Sequence, residues 1–374
     1  MRIDRIEIRL VRLPLVRFFE TSFGRIHERP FVLVQVDGEG ASGLGECVAD
    51  ANPYYSSETT GTAWHIIEDF IAPLVLGRHF ADPSEVFPVL DRIRGHNMAK
   101  AAVEMACWDL YARQQRQPLW RMLGGDAAMA GAGIVSGVSI GIQDSLQELA
   151  ERVGLELEAG YRRIKIKIKP GWDLEAAGMV RQRFGDIPLM VDANAAYRLE
   201  DAGHLAALDS LNLMMIEQPL GYDDVADHAR LQERVQTPIC LDESIQTVKV
   251  AAEAIEAGAC RIINIKPGRV GGHGPSIRLH DLAASRHIPV WHGGMLESGI
   301  GRAHNIHLST LPNFTLPGDI AASHRYFEPD LIHPGIVVRA DGTIAVPQEP
   351  GIGVHVDVDR VQAATEQRLE LRAS

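Results

Sequence analysis

The sequence is poor in the features that mark a disulfide-stapled, membrane-bound or nucleic-acid-binding protein. Cysteine is scarce: Cys47, Cys107, Cys240 and Cys260 are the four in 374 residues, far apart and without a CxxC pair. That spacing argues against a zinc site or a disulfide framework and fits a reducing, cytoplasmic setting. No apolar run approaches the roughly 20 residues of a membrane span. Met1 to Leu13 is interrupted by Asp4, Arg5, Glu7 and Arg9, so it reads as an amphipathic strand and not a leader. No basic block stands out and the net charge is −12, which argues against nucleic acid or an anionic membrane as partner. The GxGxxG loop of an open dinucleotide-binding sheet is also missing.

What remains is ordinary globular material, 46% hydrophobic and 23% charged, long enough for a large core and for two domains. The first third reads as α+β. Ile6, Ile8 and Leu10 alternate with charged residues, Phe31 to Val36 forms a second strand, and Asp37-Gly38-Glu39-Gly40 is hairpin chemistry before a third strand near Leu44. Helical patterns follow over 57–76, 84–94 and 97–115. The glycine- and alanine-rich stretch 124–133 reads as a linker.

Beyond it, short apolar strands recur at 135–140, 163–168, 188–191, 213–216, 238–241, 261–265, 289–291 and 314–316, separated by helix-length segments. Such alternation means a parallel sheet covered on both faces, and eight strands at this interval close into a barrel. The tail from about 322 reads as loop and short strand, then a final helix over 358–371. The expected domains are a cap over 1–128, a barrel over 129–321 and a C-terminal segment over 322–374.

Barrel enzymes carry their chemistry at the C-terminal strand ends. Lys167, Asp192, Glu217 and Asp242 follow one another at intervals of 25 residues, and Lys266 comes 24 later. One ionisable group per βα unit converges on one ring. In Lys165-Ile166-Lys167-Ile168 the isoleucines must face the helices, so Lys165 and Lys167 point into the barrel. Three carboxylates on adjacent strands suit a hard divalent cation, Mg²⁺ first, with Mn²⁺ or another as a substitute. The plainer reading is an ion-pair network of these acids with the lysines. Asn194, Gln218 and Glu243 stand beside the acids, placed to hold them from behind. Lys167 and Lys266 lie across the barrel from each other, able to address opposite faces of one carbon. The expected chemistry is removal of a proton α to a carboxylate, with lysines whose pKa is depressed by the cation, by each other and by burial.

These stretches closely resemble the enolase superfamily: Lys165-Ile166-Lys167, Val191-Asp192-Ala193-Asn194, Ile216-Glu217-Gln218-Pro219, Leu241-Asp242-Glu243-Ser244 and Asn264-Ile265-Lys266-Pro267. Lysine or histidine bases with Mg²⁺ are general there. The resemblance spans essentially the whole chain and implies a modified (β/α)₇β TIM barrel with an α+β cap and a tail that returns to it. A lysine on strand six points to the muconate-lactonising-enzyme subgroup and away from mandelate racemase, so His292 is expected to be a lining residue only. Within the subgroup, Arg94-Gly95-His96-Asn97-Met98-Ala99-Lys100, Tyr161-Arg162-Arg163 and Gly293-Gly294-Met295-Leu296-Glu297-Ser298-Gly299-Ile300-Gly301-Arg302 look like the o-succinylbenzoate synthase / N-succinylamino acid (N-acylamino acid) racemase family.

The resemblance implies a small carboxylate substrate and a homo-oligomer, octamer or dimer. The synthase reaction, dehydration of 2-succinyl-6-hydroxy-2,4-cyclohexadiene-1-carboxylate, belongs to menaquinone biosynthesis, and the racemase to amino-acid metabolism. By the same resemblance Lys167 and Lys266 are the catalytic bases with Lys165 assisting, and Asp192, Glu217 and Asp242 are the metal ligands. Ser139, 26 residues before Lys165, and Gly293, Gly294 and Met295 line the substrate, with Phe23 and Tyr55 reaching down from the cap. The rivals are a dipeptide epimerase, a muconate cycloisomerase and a non-catalytic anion-binding barrel. Pro317-Gly318-Asp319-Ile320-Ala321 has one aspartate where the epimerases have Asp-x-Asp, which counts against the first.

Overall fold

A computed structural model describes residues 1–373. The cap begins with two long antiparallel strands, β1 (Arg5–Thr21) and β2 (Gly24–Gly38), followed by β3 (Ala41–Cys47). β3 lies flat on the helix Asn97–Gln114. A Cβ on Gly45 would stand 2.0 Å from the Ala102 carbonyl oxygen, so only glycine permits that approach. This helix has little amphipathicity because it is buried nearly all round, between the cap sheet and the barrel.

After the short strand β4 (Ile134–Val135), seven parallel strands make the barrel wall. They are β5 (Val138–Ile140), β6 (Ile164–Lys167), β7 (Leu189–Asp192), β8 (Ile216–Glu217), β9 (Ile239–Leu241), β10 (Ile262–Ile265) and β11 (Val290–His292), neighbours in that order. Outward residues such as Val138, Ile164, Ile166, Val191 and Ile216 pack on the helices. Met190, Met215, Cys240, Ile262 and Trp291 fill the barrel interior. The eighth predicted strand, 314–316, forms no ladder. Single parallel bridges, Val290 to Phe314 and Ser136 to Gly318, close the wall instead. Pro317 has no N–H to give such a ladder, and Gly318 donates only to the Val135 carbonyl.

Three other expectations need correction. The segment 124–133 is not a plain linker, since Ala127–Ala132 forms a helix capped by Asp126. The predicted strand 135–140 is two pieces, and β4 pairs antiparallel with β12 (Thr343–Ile344). The final helix stops at Ala364. Thr365–Arg372 is β13, an antiparallel partner of β1. Its alternation of Glu366, Arg368 and Glu370 with Leu369 and Leu371 is strand periodicity, overridden in the sequence reading by good helix formers. β13 thereby fastens the chain's end to the cap sheet.

The cap is locked to the barrel by buried polar groups. Glu46 accepts from the Ser298 backbone and hydroxyl and from the Gly301 N–H at the start of the helix Gly299–Leu308. Glu104 does the same for His273 and Gly274 at the start of another helix. Burial pushes both carboxyls up to about 7 against those donors. Among the described residues no helix is long and apolar enough to cross a membrane. The four cysteines are buried and unpaired.

Candidate active site

Each predicted lysine is buried and turned inward. Lys165 pairs in register with Ser139 on one side and Met190 on the other. Its Nζ lies 2.6 Å from Asp319, 2.9 Å from Glu217 and 3.2 Å from Asp192, and 4.8 Å above the Trp291 ring. Lys167 donates to Asp192 at 2.5 Å and to Asn194 Oδ1 at 2.7 Å. Lys266, just beyond β10, donates to Asp242 at 2.7 Å and to the Tyr55 hydroxyl at 3.1 Å. The expected depression counted a cation and burial; the carboxylates around Lys165 and Lys266 act in the opposite direction. Burial disfavours the ammonium of Lys165, but Asp319, Glu217 and Asp192 outweigh it and hold the group well above its ordinary value. Lys266 is likewise raised, since Asp242 and the Tyr55 oxygen overcome burial.

The three predicted ligands sit on adjacent strand ends, Asp192 beside Glu217 in the ladder and Asp242 just past β9. Among the described residues, no three His, Cys, Asp or Glu side chains are gathered as a metal cage. Each of these acids faces a cation or an amide. Lys165 and Lys167 hold Asp192 down against burial, and Lys266 with Arg269 does so for Asp242. Glu217 accepts from Asn264 Nδ2 at 2.6 Å. Burial and the neighbouring Asp192 push its carboxyl up to about 7. Glu243 is raised by burial, Asp242 and Asp192, and its Oε2 is buried with no donor. The chemistry of the set, carboxylate oxygens at neighbouring strand ends with Glu243 Oε2 buried and without a donor, is that of a hard divalent cation's ligands, provided the acids turn from the lysines they face here.

The residues behind these acids are those the sequence marked. Asn194 bridges Lys167 to Glu243, and its N–H donates to Asp192. The Gln218 side-chain Oε1 accepts from the N–H groups of Asp242 and Ser244, tying two strand ends together. Asn194 and Gln218 have φ values of +42° and +39°, a left-handed conformation that costs non-glycine residues about 1–3 kcal/mol and clusters at working sites.

Lys167 and Lys266 both line a cavity of about 170 Å³ that is walled by Gly294, Met295 and Leu296 from the barrel and by Phe23, Tyr54 and Tyr55 from the cap. Phe23 stands at the tip of the β1–β2 hairpin, over a third exposed. Ser139, its buried hydroxyl unpartnered, lines a smaller recess of about 50 Å³ with all three lysines. A Cβ on Gly293 would be 2.2 Å from Asn264 Oδ1 and 2.5 Å from Lys266 Cε, so any larger residue would push both side chains from their places. His292 accepts no charge: burial lowers it to about 3, and it stacks on Phe314.

Strand-end spacing assigns no role to three residues that act here. Arg269, one turn after Lys266, bonds to Asp242 and to the Asn264 carbonyl. Asn264 holds Glu217. Asp319 is the single aspartate of the closing segment, and it pairs with both Arg163 and Lys165, each at 2.6 Å, two residues apart along the β6 segment. Its signal was there, as the one acid on the closing segment. Asp319→Ala leaves Arg163 and Lys165 buried without that partner. We expect a loss of about 3–5 kcal/mol in urea unfolding; a change below about 1 kcal/mol would mean that the two cations find other partners.

A β/α barrel with two buried lysines and buried acids lining one cavity, roofed by residues of the cap, defines a class: a capped barrel enzyme built for proton transfer. The comparisons agree. Residues 5–124 match the family model "Mandelate racemase / muconate lactonizing enzyme, N-terminal domain" and residues 146–361 match "Enolase C-terminal domain-like". An o-succinylbenzoate synthase from Geobacillus stearothermophilus is 51% identical over 98% of this chain and 96% of its own. An N-succinylamino acid racemase from Thermus thermophilus is 48% identical over 98% of both. The solved dipeptide epimerase from Cytophaga hutchinsonii, complexed with Mg and a dipeptide, superposes with a TM-score of 0.90 at 26% identity over the whole of both chains. The chain belongs to the enolase superfamily, in its muconate-lactonizing group, and is an enzyme.

Proposed function

We propose that the protein abstracts the proton α to a carboxylate, as an o-succinylbenzoate synthase, an N-succinylamino acid racemase, or both from one site. The observation that carries this reading is the placement of Lys167 on β6 and Lys266 after β10, four strands apart, on one cavity. In this reading Asp192, Glu217 and Asp242 hold Mg²⁺, with Mn²⁺ or another divalent ion as a substitute. Such a cation supplies positive charge against the second negative charge that develops on the substrate carboxylate as the α-proton leaves.

The chain's own groups do the rest. Lys167 takes the α-proton from one face. In racemisation Lys266 delivers a proton to the other face, and the reverse reaction exchanges their roles. In dehydration Lys167 removes the ring proton and returns it to the departing hydroxyl, which leaves as water as the ring becomes aromatic, with the Lys266 ammonium balancing charge from the opposite side. Lys165 positions Lys167 through their shared partner Asp192. Phe23 and Tyr55 exclude water from above. Asp319, occupied by Arg163 and Lys165, is not free to receive a dipeptide's ammonium. The reading includes a cytoplasmic homo-oligomer.

The test is ¹H NMR of N-succinyl-L-phenylalanine with enzyme and Mg²⁺ in D₂O, beside the dehydration assay. We expect the α-proton signal and the optical rotation to disappear together, a chelator to stop both, and Mg²⁺ to restore them. Exchange without racemisation would leave one working base and favour the synthase alone. Unchanged turnover in chelator would remove the metal from the scheme.

A further inference from the structure

The cavity has a barrel end, where the lysines stand, and a cap end. Both proposed substrates carry two carboxylates: one at the reacting carbon and one at the far end of a succinyl arm. The inference below rests on that reading. If the reacting carboxylate lies among the lysines, the distal one must meet the cap end, and the cap contributes two cations there, Arg25 and Arg29. Arg25 is already engaged. It bonds Glu20 at 2.7 Å, pairs with Asp144 at 2.5 Å and lies 3.8 Å above the Phe18 ring.

Arg29 is different. It sits on β2 immediately before the apolar run Pro30 to Val34, and it is 2% exposed. Its Nη2 donates to the Val48 carbonyl. Its Nη1 lies 2.9 Å from Asp50 Oδ1, yet is aligned for a hydrogen bond with no acceptor. Asp50 is itself about one-third exposed, and the same Oδ1 accepts from the Ala51 N–H. A buried guanidinium with five donors thus has one carbonyl and one loosely held carboxylate. Burying that charge is costly unless a planar anion completes it, and a carboxylate matches its fork.

We infer that Arg29 is a specificity residue that receives the distal carboxylate of the acyl arm. Asp50 is its resting partner and the competitor that an anionic arm displaces. The arm then runs from the lysines past Met295 and Tyr55 to the cap, and a neutral acyl group of the same length gains nothing at its end.

The test compares N-succinyl-L-phenylalanine with its terminal amide, N-succinamoyl-L-phenylalanine, under saturating Mg²⁺. The wild type should prefer the anionic arm in kcat/KM, chiefly through KM. Arg29→Gln should cut that preference roughly ten- to a hundredfold, the range for losing a hydrogen bond to a charged group, and Arg29→Lys should restore part of it. Asp50→Asn, which keeps Arg29 in place, should lower KM for the succinyl substrate several-fold more than for the amide. A preference that Arg29→Gln leaves intact overturns the inference, as does an Asp50→Asn variant with no selective change. If the wild type racemises both substrates without preference, the inference fails while the proposed function stands. If it racemises neither, the proposed function fails first and takes the inference with it.

Discussion

Replacing either Lys167 or Lys266 by alanine should abolish racemisation, by at least about 10³-fold, since a positioned acid or base contributes about 10²–10⁴-fold. The two lysines stand on opposite sides of one cavity, each with a different carboxylate partner, Asp192 for Lys167 and Asp242 for Lys266. Neither can cross to the other's face. In D₂O each variant should still wash the α-proton out of one enantiomer, the one presented to the surviving lysine, without inverting it. The two variants should differ in which enantiomer exchanges. Dehydration should separate them further, because it requires Lys167 as a base but Lys266 only as a charge. Full racemase activity in either alanine variant would end the two-base scheme.

Asp242→Asn should be as damaging, for two reasons that separate experimentally. The first is catalytic: loss of one proposed ligand weakens the charge stabilisation worth several kcal/mol, so turnover should fall about 10³-fold and calorimetric Mg²⁺ affinity should drop with it. The second is structural. Asp242 is the buried partner of both Lys266 and Arg269. Leaving them unpaired should cost about 3–5 kcal/mol, seen as a lowered melting temperature in chelator. A variant that binds Mg²⁺ like the wild type but melts early would keep Asp242 as an ion-pair residue and remove it from the ligand set.

These two experiments bear on the same property of the site. The carboxylates proposed to hold the cation are also the counter-ions of the lysines. That is why their neighbours raise Lys165 and Lys266, while burial and a cation act in the other direction. The spacing of Lys167, Asp192, Glu217, Asp242 and Lys266 placed each group on a strand end, but spacing does not say which charge a side chain will turn to.

The sequence by itself determined the barrel, the inward ring and the partners behind it. The reason is periodic. Two-residue alternation assigns Lys165 and Lys167 to the inner face, and one strand per βα unit brings the ring together. Asn194, Gln218 and Glu243 were legible as neighbours of groups already placed. The tertiary structure decided what depends on contacts between distant segments. β13 is a strand because β1 offers it a free edge, against its own helix-forming composition. Residues 313–318 close the barrel through single bridges, with Pro317 offering no N–H between them. Asp319, Arg269 and Arg29 gain their roles from partners far along the chain or across the cap, and no local pattern encodes where a long charged side chain finds its counter-ion.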